Sequence, residues 1–279
     1  MISAVLIVKN EEDYLADCLK SIEGADEVVV MDTGSTDDTI EIAESFTDKV
    51  YTCEWEDDFA KARNYAKAHC DGEWVYNIDA DHVNLTPFEQ IRAEIERVKD
   101  HDVASITIDG HHQAAWLYRN KPELQWVGRV HEVLNRPASV HTSIAQSTRK
   151  RPEAHTKRNI RLLQKSEDSP RTRFYLGREY FDLGDYNEAV RWLHRYLEAP
   201  AFPAEQAEAW LTLAKAHWYS QRGADARAAC LQAIGTNPDF KEAFYWMAQI
   251  TYEPLSSKWK KLAKQATNTD VLFNRYPGQ

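Results

Sequence analysis

No apolar run in this 279-residue chain approaches 18 residues. No transmembrane helix is therefore expected, since crossing a bilayer takes about 20 apolar residues. The first apolar stretch, Ala4-Val5-Leu6-Ile7-Val8, is short and has no basic segment before it. That speaks against a secretory leader and makes the cytoplasm the expected compartment. Cysteine is scarce: Cys18, Cys53, Cys70 and Cys230 form neither a C-x-x-C pair nor a metal-ligand cluster. Buried free thiols are expected, not a disulfide framework. No Gly-Lys-Ser/Thr loop of the P-loop kind is present. Charged residues make up 28% and apolar residues 43%, which excludes collagen-like, low-complexity and disordered chains. Positive charge is also short, and unevenly so. Residues 1–150 carry 15 Lys+Arg against 29 Asp+Glu, a net −14, whereas residues 151–279 carry 19 against 15, a net +4. The acidic half is a poor partner for a phosphate backbone but suits a divalent cation. The break predicts two domains, 1–150 and 151–279.

Residues 2–8 read as a buried strand, short, apolar and β-branched. Asn10 is placed to cap a helix from about Glu11 to Ile22, on which Leu15, Leu19 and Ile22 recur at helical spacing. Residues 26–32 form a second strand ending in Asp32. Gly34-Ser35-Thr36-Asp37-Asp38 then makes a turn in which Ser35 and Asp38 suit a helix N-terminus. That helix runs to about Phe46. A short strand at 49–52, a helix over 57–70 and a strand at 74–78 follow, the last ending in Asp79-Ala80-Asp81. Strands alternating with helices predict a mostly parallel α/β sheet. Such sheets bind ligands at the carboxyl ends of their strands, the edge that would hold Asp32, Asp79 and Asp81.

Four segments carry a resemblance. Ile7-Val8-Lys9-Asn10-Glu11-Glu12, the stretch from Met31-Asp32-Thr33-Gly34 to Thr39, Ala62-Arg63-Asn64 and Asp79-Ala80-Asp81 resemble family 2 glycosyltransferases in order and spacing, over about residues 1–135. The resemblance implies a Rossmann-like GT-A fold, a UDP-sugar donor and Mn²⁺ or Mg²⁺. It implies Asp81 as a metal ligand, with Asp79 beside it on the metal, a metal-bound water or the ribose. It also implies Asp32 on the uracil or ribose, Glu11 lining the base pocket and Arg63 against the nucleotide. The chemistry is coherent on its own terms. A departing diphosphate gathers negative charge that a divalent cation neutralises, and hard Asp oxygens suit Mg²⁺ or Mn²⁺. Each residue also has a plainer alternative. The Asp-rich strand end could cap a helix, Asp32 could close a turn, Glu11 could be a first-turn glutamate and Arg63 could form a surface salt bridge. Ser35-Thr36 reads as structural capping.

Residues 102–109 alternate and read as a strand. Residues 114–119 and 124–130 read as two more, joined around Asn120-Lys121-Pro122, and together they would build the acceptor side. Gly128-Arg129-Val130-His131-Glu132 closes the region. The same resemblance implies His131 as a further metal ligand, and a neutral imidazole suits Mn²⁺. Glu132 is the candidate general base for an inverting transfer, taking the acceptor proton; Asp109 is the second candidate. Neighbouring strand residues point to opposite faces, so His131 and Glu132 both reach the site only where the backbone is irregular. Trp116 and Trp126 suit either the core or a sugar face. The pattern departs from the family at His82, where an acid is usual. His111-His112 lacks a third ligand for zinc.

From about His155 the periodicity is helical throughout. The 34-residue tetratricopeptide template fits Leu176-Gly177-x-x-Tyr180 with Ala189 and Leu193. It fits again at Trp210, Leu213, Ala214 and His217 with Ala226, Cys230, Ala233 and Pro238. A third copy begins at Phe244, Met247 and Ala248 and degrades past Tyr252-Glu253-Pro254. The second half is expected to be an all-α, tetratricopeptide-like domain that binds a peptide or protein, or orders a homodimer. Arg149-Lys150-Arg151, with Lys157, Arg158 and Arg161, is either a solvated helix start or a contact to an anionic acceptor. The whole predicts a metal-dependent, inverting hexosyl- or pentosyltransferase that moves a sugar from a UDP-sugar to a peptide, glycan or nucleic-acid base. The alternatives are a non-catalytic repeat-based adaptor with a vestigial nucleotide-sugar domain, and a sugar-nucleotide pyrophosphorylase. Asp32, Arg63, Asp79 and Asp81 together argue against the adaptor; the missing early Gly-rich basic loop argues against the pyrophosphorylase.

Overall fold

A computed structural model describes residues 1–110, 112–149, 155–200 and 203–267. The chain divides into two compact units, Met1–Pro152 and Glu153–Gln279. The first is built on an eight-stranded sheet in the order β3-β2-β1-β4-β7-β6-β10-β5. β1 (Ile2–Val8), β2 (Glu27–Asp32), β3 (Val50–Thr52) and β4 (Trp74–Asn77) run parallel. Their apolar runs follow from burial on both faces. Val5, Val29, Met31 and Val75 pack with Ala60 and Ala66 of α3 (Phe59–Ala68) on one face. Ala4, Leu6 and Val8 pack on the other with α1 (Leu15–Ser21), α2 (Thr39–Glu44) and α4 (Phe88–Arg97). β7 (His112–Arg119) is antiparallel to β4 and to β6 (Val103–Ile108). β10 (Val140–Thr148) is parallel to β6, and β5 (His82–Asn84) is antiparallel to β10. The sheet is therefore mixed, with β7 and β5 running against the other six strands, which share one direction as expected. β6 and β10 still run in the direction of β4, so the carboxyl ends of β1, β2, β3, β4, β6 and β10 emerge on one edge. A separate ribbon pairs β8 (Trp126–Val127) with β9 (Val133–Leu134).

Several sequence expectations change. Asn10 does not cap a helix at Glu11. It sits at φ 55°, its Oδ1 accepts from the Thr36 amide at 2.8 Å, and the helix starts only at Leu15. Ser35 does not cap α2. Its hydroxyl donates to Asp32 and accepts from the Asn10 amide at 2.9 Å, while Asp37 takes the Thr39 amide at 3.1 Å. The strand expected over 124–130 shrinks to two residues, because the chain bends at Gly128 (φ 99°) and His131 (φ 54°) and returns as β9. α4, β5 and β10 have no counterpart in the sequence reading. β10 carries an irregular register between His141 and Ala145, which breaks its alternation.

The second unit is helical. After α5 (His155–Gln164), α6 (Pro170–Asp182) packs on α7 (Tyr186–Leu197), α8 (Pro203–Tyr219) on α9 (Gly223–Thr236), and α10 (Lys241–Gln249) on α11 (Leu255–Gln265). Ser169 caps α6 by accepting from the Thr172 amide at 3.2 Å, with Pro170 in the first turn, where its missing N–H costs nothing. Asp185 caps α7 at Glu188 (3.2 Å). Phe174, Leu193, Tyr196, Ala226, Ala233 and Met247 share one core. At Gly177 the paired helices touch: a methyl group there would lie 2.6 Å from Leu193 Cγ.

Two stability tests follow. Gly177→Ala overpacks this contact and is expected to cost about 1–3 kcal/mol; a thermal melt no lower than that of the wild type would contradict the close approach. In the first unit, Arg92 of α4 forks onto Asp26, both nitrogens at 2.8 Å, and the Ile2 amide adds a bond at 2.7 Å. The Arg92 bonds, helped by Ile2, hold the Asp26 carboxyl at about 2. A depressed carboxylate pKa adds stability above the unfolded value, about 4, that fades as pH falls toward the folded one. Asp26→Asn should cost about 1 kcal/mol at pH 7, allowing for solvent screening. Urea midpoints of the two proteins should converge on acidification below about pH 4, and a constant gap would remove Asp26 as the cause.

Candidate functional site

β1 lies between β2 and β4, so the winding of the sheet reverses there, the place where open α/β sheets bind ligands. Glu11, half-buried, follows β1. Asp32 ends β2 and is 1% exposed. It accepts from the Gly34 amide at 2.7 Å and the Ser35 amide at 3.0 Å, besides the Ser35 hydroxyl. Gly34, at φ 102°, lets the chain turn tightly enough to reach it. Asp109 follows β6 at φ 51° and accepts from Thr148 at 2.8 Å (amide) and 2.6 Å (hydroxyl). Burial works against its charge, but the Thr148 donors prevail and hold its carboxyl below the ordinary value. Asp109 thus ties β6 to β10.

The centre of the site is Arg63 on α3, 6% exposed. Its Nε donates to Glu132 Oε1 at 2.6 Å and its Nη2 to Asp79 Oδ1 at 2.9 Å. Its guanidinium carbon lies 5.0 Å from the ring centroid of Trp126 and 5.4 Å from that of Trp116, within cation–π range. Burial disfavours the charged form, but Asp79 and Glu132 outweigh it and raise the arginine pKa further. The same helix holds the segment that delivers Glu132. Asn64 Oδ1 accepts from the Trp126 amide at 2.9 Å, and its Nδ2 donates to the Trp126 carbonyl at 3.0 Å. Buried Lys67 donates to the Lys121 and Leu124 carbonyls, both at 2.7 Å. Lys67 has no part in the sequence reading and Asn64 enters it only within Ala62-Arg63-Asn64, although the four-residue spacing places Arg63 and Lys67 on one helix face. Trp126 is core, its Nε1 donating to Tyr118 at 3.0 Å; Trp116 is half-buried.

At the end of β4, Asp79, Asp81 and His82 each offer one ligand atom, all within 4.8 Å of one another. Two carboxylates and an imidazole fit a hard-to-borderline divalent cation such as Mn²⁺, and the oxygens alone suit Mg²⁺. His131 is not part of this group; its left-handed backbone supplies the irregularity before Glu132. Cys18 donates to the Asp79 carbonyl at 3.3 Å. Burial, then the charges of Asp79 and Asp81, push its thiol pKa up, away from reactivity. Arg149 pairs with Asp17 at 2.5 Å. His112 is exposed, and His111, Lys150 and Arg151 lie outside the described residues. No helix among the described residues is long and apolar enough to cross a membrane.

The sequence model of glycosyl transferase family 2 matches residues 3–168. The chain is 31% identical over 144 residues to a TPR repeat-containing protein of Synechococcus elongatus, covering 48% of this chain and 35% of the relative. It is 27% identical over 223 residues to the SPbeta prophage-derived glycosyltransferase SunS of Bacillus subtilis, covering 70% and 52%. The matches thus span 35% and 52% of the lengths of these relatives. Among solved structures, S. aureus TarS 1-349 in complex with UDP-GlcNAc aligns at a TM-score of 0.46 with 17% identity, covering 90% of this chain and 93% of that one. Because the family match takes in more than half of the chain, from β1 through the whole mixed α/β sheet to α5, this protein belongs to glycosyl transferase family 2.

Proposed function

We propose that this chain is a metal-dependent glycosyltransferase with a UDP-sugar donor. The observation that carries the reading is the convergence of Asp79 and Asp81 at the switch-point end of β4 in a family 2 member. Asp81 and Asp79 would hold Mn²⁺ or Mg²⁺, which when bound neutralises charge on the departing diphosphate. Glu11 and the Asp32 turn would form the wall facing the nucleoside, with Asp32 kept rigid by its own amides. Glu132 would take the proton from the acceptor hydroxyl as that oxygen attacks the anomeric carbon opposite the leaving group, giving inversion. Arg63 acts through Asp79 and Glu132, setting the donor-side and acceptor-side carboxylates from one planar cation. His131 is an alternative nitrogen donor to the cation. The helix pairs of the second unit are read as tetratricopeptide-like repeats over 151–279. Gly177 against Leu193, buried Ala189, Ala226 and Ala233 at template positions, and the TPR-named relative support this. Their role would be to receive a peptide, glycan or other acceptor, or a second copy of the chain. The non-catalytic adaptor reading has no use for Asp79, Asp81 and His82 converging in a set that fits a cation.

Calorimetry with UDP and a panel of UDP-sugars should show binding with Mn²⁺ that is lost with EDTA and in Asp81→Ala. UDP binding indifferent to both would refute the metal-dependent donor site. Glu132→Gln should lower UDP release from the bound donor by about 100-fold or more, far more than it weakens UDP binding. Equal loss of affinity and turnover would instead make Glu132 part of the donor pocket.

A further inference from the structure

His82 directly follows Asp81 and is 6% exposed. Its ring is held by two contacts and its backbone by a third. It stacks on Trp116, with centroids 5.4 Å apart and an interplanar angle of 23°. Its backbone is registered against Thr148 by the β5–β10 pairing. Its Nδ1 lies 2.9 Å from Gln146 Oε1. Hydrogen-bond bookkeeping then settles the proton positions. The fully buried Gln146 donates its Nε2 to the Asn77 carbonyl at 2.8 Å. A carbonyl only accepts, so the amide nitrogen is on that side and Oε1 faces the histidine. Oε1 in turn only accepts, so Nδ1 of His82 carries the hydrogen. With Nδ1–H so placed, Nε2 is the ring nitrogen that can offer a lone pair to a cation.

That nitrogen stands 4.0 Å from Asp81 Oδ1, too far for a hydrogen bond. The gap is one that a single ion at about 2.1 Å from each ligand atom spans. A metal-ligating imidazole is usually oriented by a hydrogen bond from its other ring nitrogen.

Resting on the metal-dependent reading above, we propose that His82 is a third protein ligand of the cation held by Asp79 and Asp81, binding through Nε2, and that Gln146 is its positioning residue. A nitrogen in the donor set favours Mn²⁺ over Mg²⁺.

Pulsed electron paramagnetic resonance of the full chain loaded with Mn²⁺ alone reads the ligand atoms directly. The wild type should show nitrogen modulation, which changes when histidine is labelled with ¹⁵N. The modulation should vanish in His82→Gln and persist in His131→Gln. Mn²⁺ affinity should fall about 10-fold or more in His82→Gln, and Mg²⁺ affinity less. Gln146→Leu should weaken Mn²⁺ about 10-fold while keeping the nitrogen signal. Bound Mn²⁺ without nitrogen modulation in the wild type overturns the assignment whether or not the variants fold. So does modulation that survives His82→Gln or disappears in His131→Gln. If Mn²⁺ binds the wild type and is lost in Asp81→Ala while nitrogen coupling is absent, only the His82 assignment falls. If the wild type binds no Mn²⁺, the metal-dependent reading falls with it.

Discussion

A buried guanidinium is tolerated only where its charge is matched. Arg63 is matched by two carboxylates from distant parts of the chain, Asp79 and Glu132. That requirement explains much of the first unit. Asp79 must emerge from β4 toward α3, which the parallel sheet provides. Glu132 must return from beyond β8, which takes a bend at Gly128 and His131 in place of a continuous strand. The returning segment must also be held, and Asn64 and Lys67, on the same helix as Arg63, grip its backbone. Two indoles cover the faces of the guanidinium that hydrogen bonds do not reach. Breaking such a pair from one side typically costs about 3–5 kcal/mol, because the remaining charges stay buried.

The acids at the sheet edge divide according to which donors reach them first. Strand ends leave backbone N–H groups without ladder partners, and these must be satisfied. Asp32 serves its own turn and Asp109 serves Thr148. The strong negative charge of residues 1–150 is therefore not all directed at a cation. What distinguishes Asp79 and Asp81 is a neighbouring arginine on one side and an imidazole on the other.

The first strands and the order of the motifs could be read because buried parallel strands are continuous apolar runs closed by acids. The second half of the sheet could not. β10 reads Val-His-Thr-Ser-Ile-Ala-Gln-Ser-Thr, polar and irregular in register, and β5 has only three residues. α4 did leave a signal, with Phe88 and Ile91 buried and Ile95 packed beside them at helical spacing, though not one tied to a motif. Asn10 misleads because its type suits a cap and a left-handed turn equally. Candidate carboxylates were visible by type, but their partners were not. Arg63 and Glu132 are 69 residues apart, and His82 and Gln146 are 64 apart. No local pattern encodes such pairings; only the folded unit brings them together.

The indoles beside Arg63 have a consequence of another kind. Of nine tryptophans, Trp116 and Trp126 flank the charge that answers to Asp79 and Glu132, and Trp116 also lies against His82. Indole emission shifts with the local electric field. Any ligand that redistributes charge among Asp79, Asp81 and His82 therefore acts on two chromophores already in place. The site carries an optical gauge of its own occupancy, built from side chains whose first task is to shield an arginine.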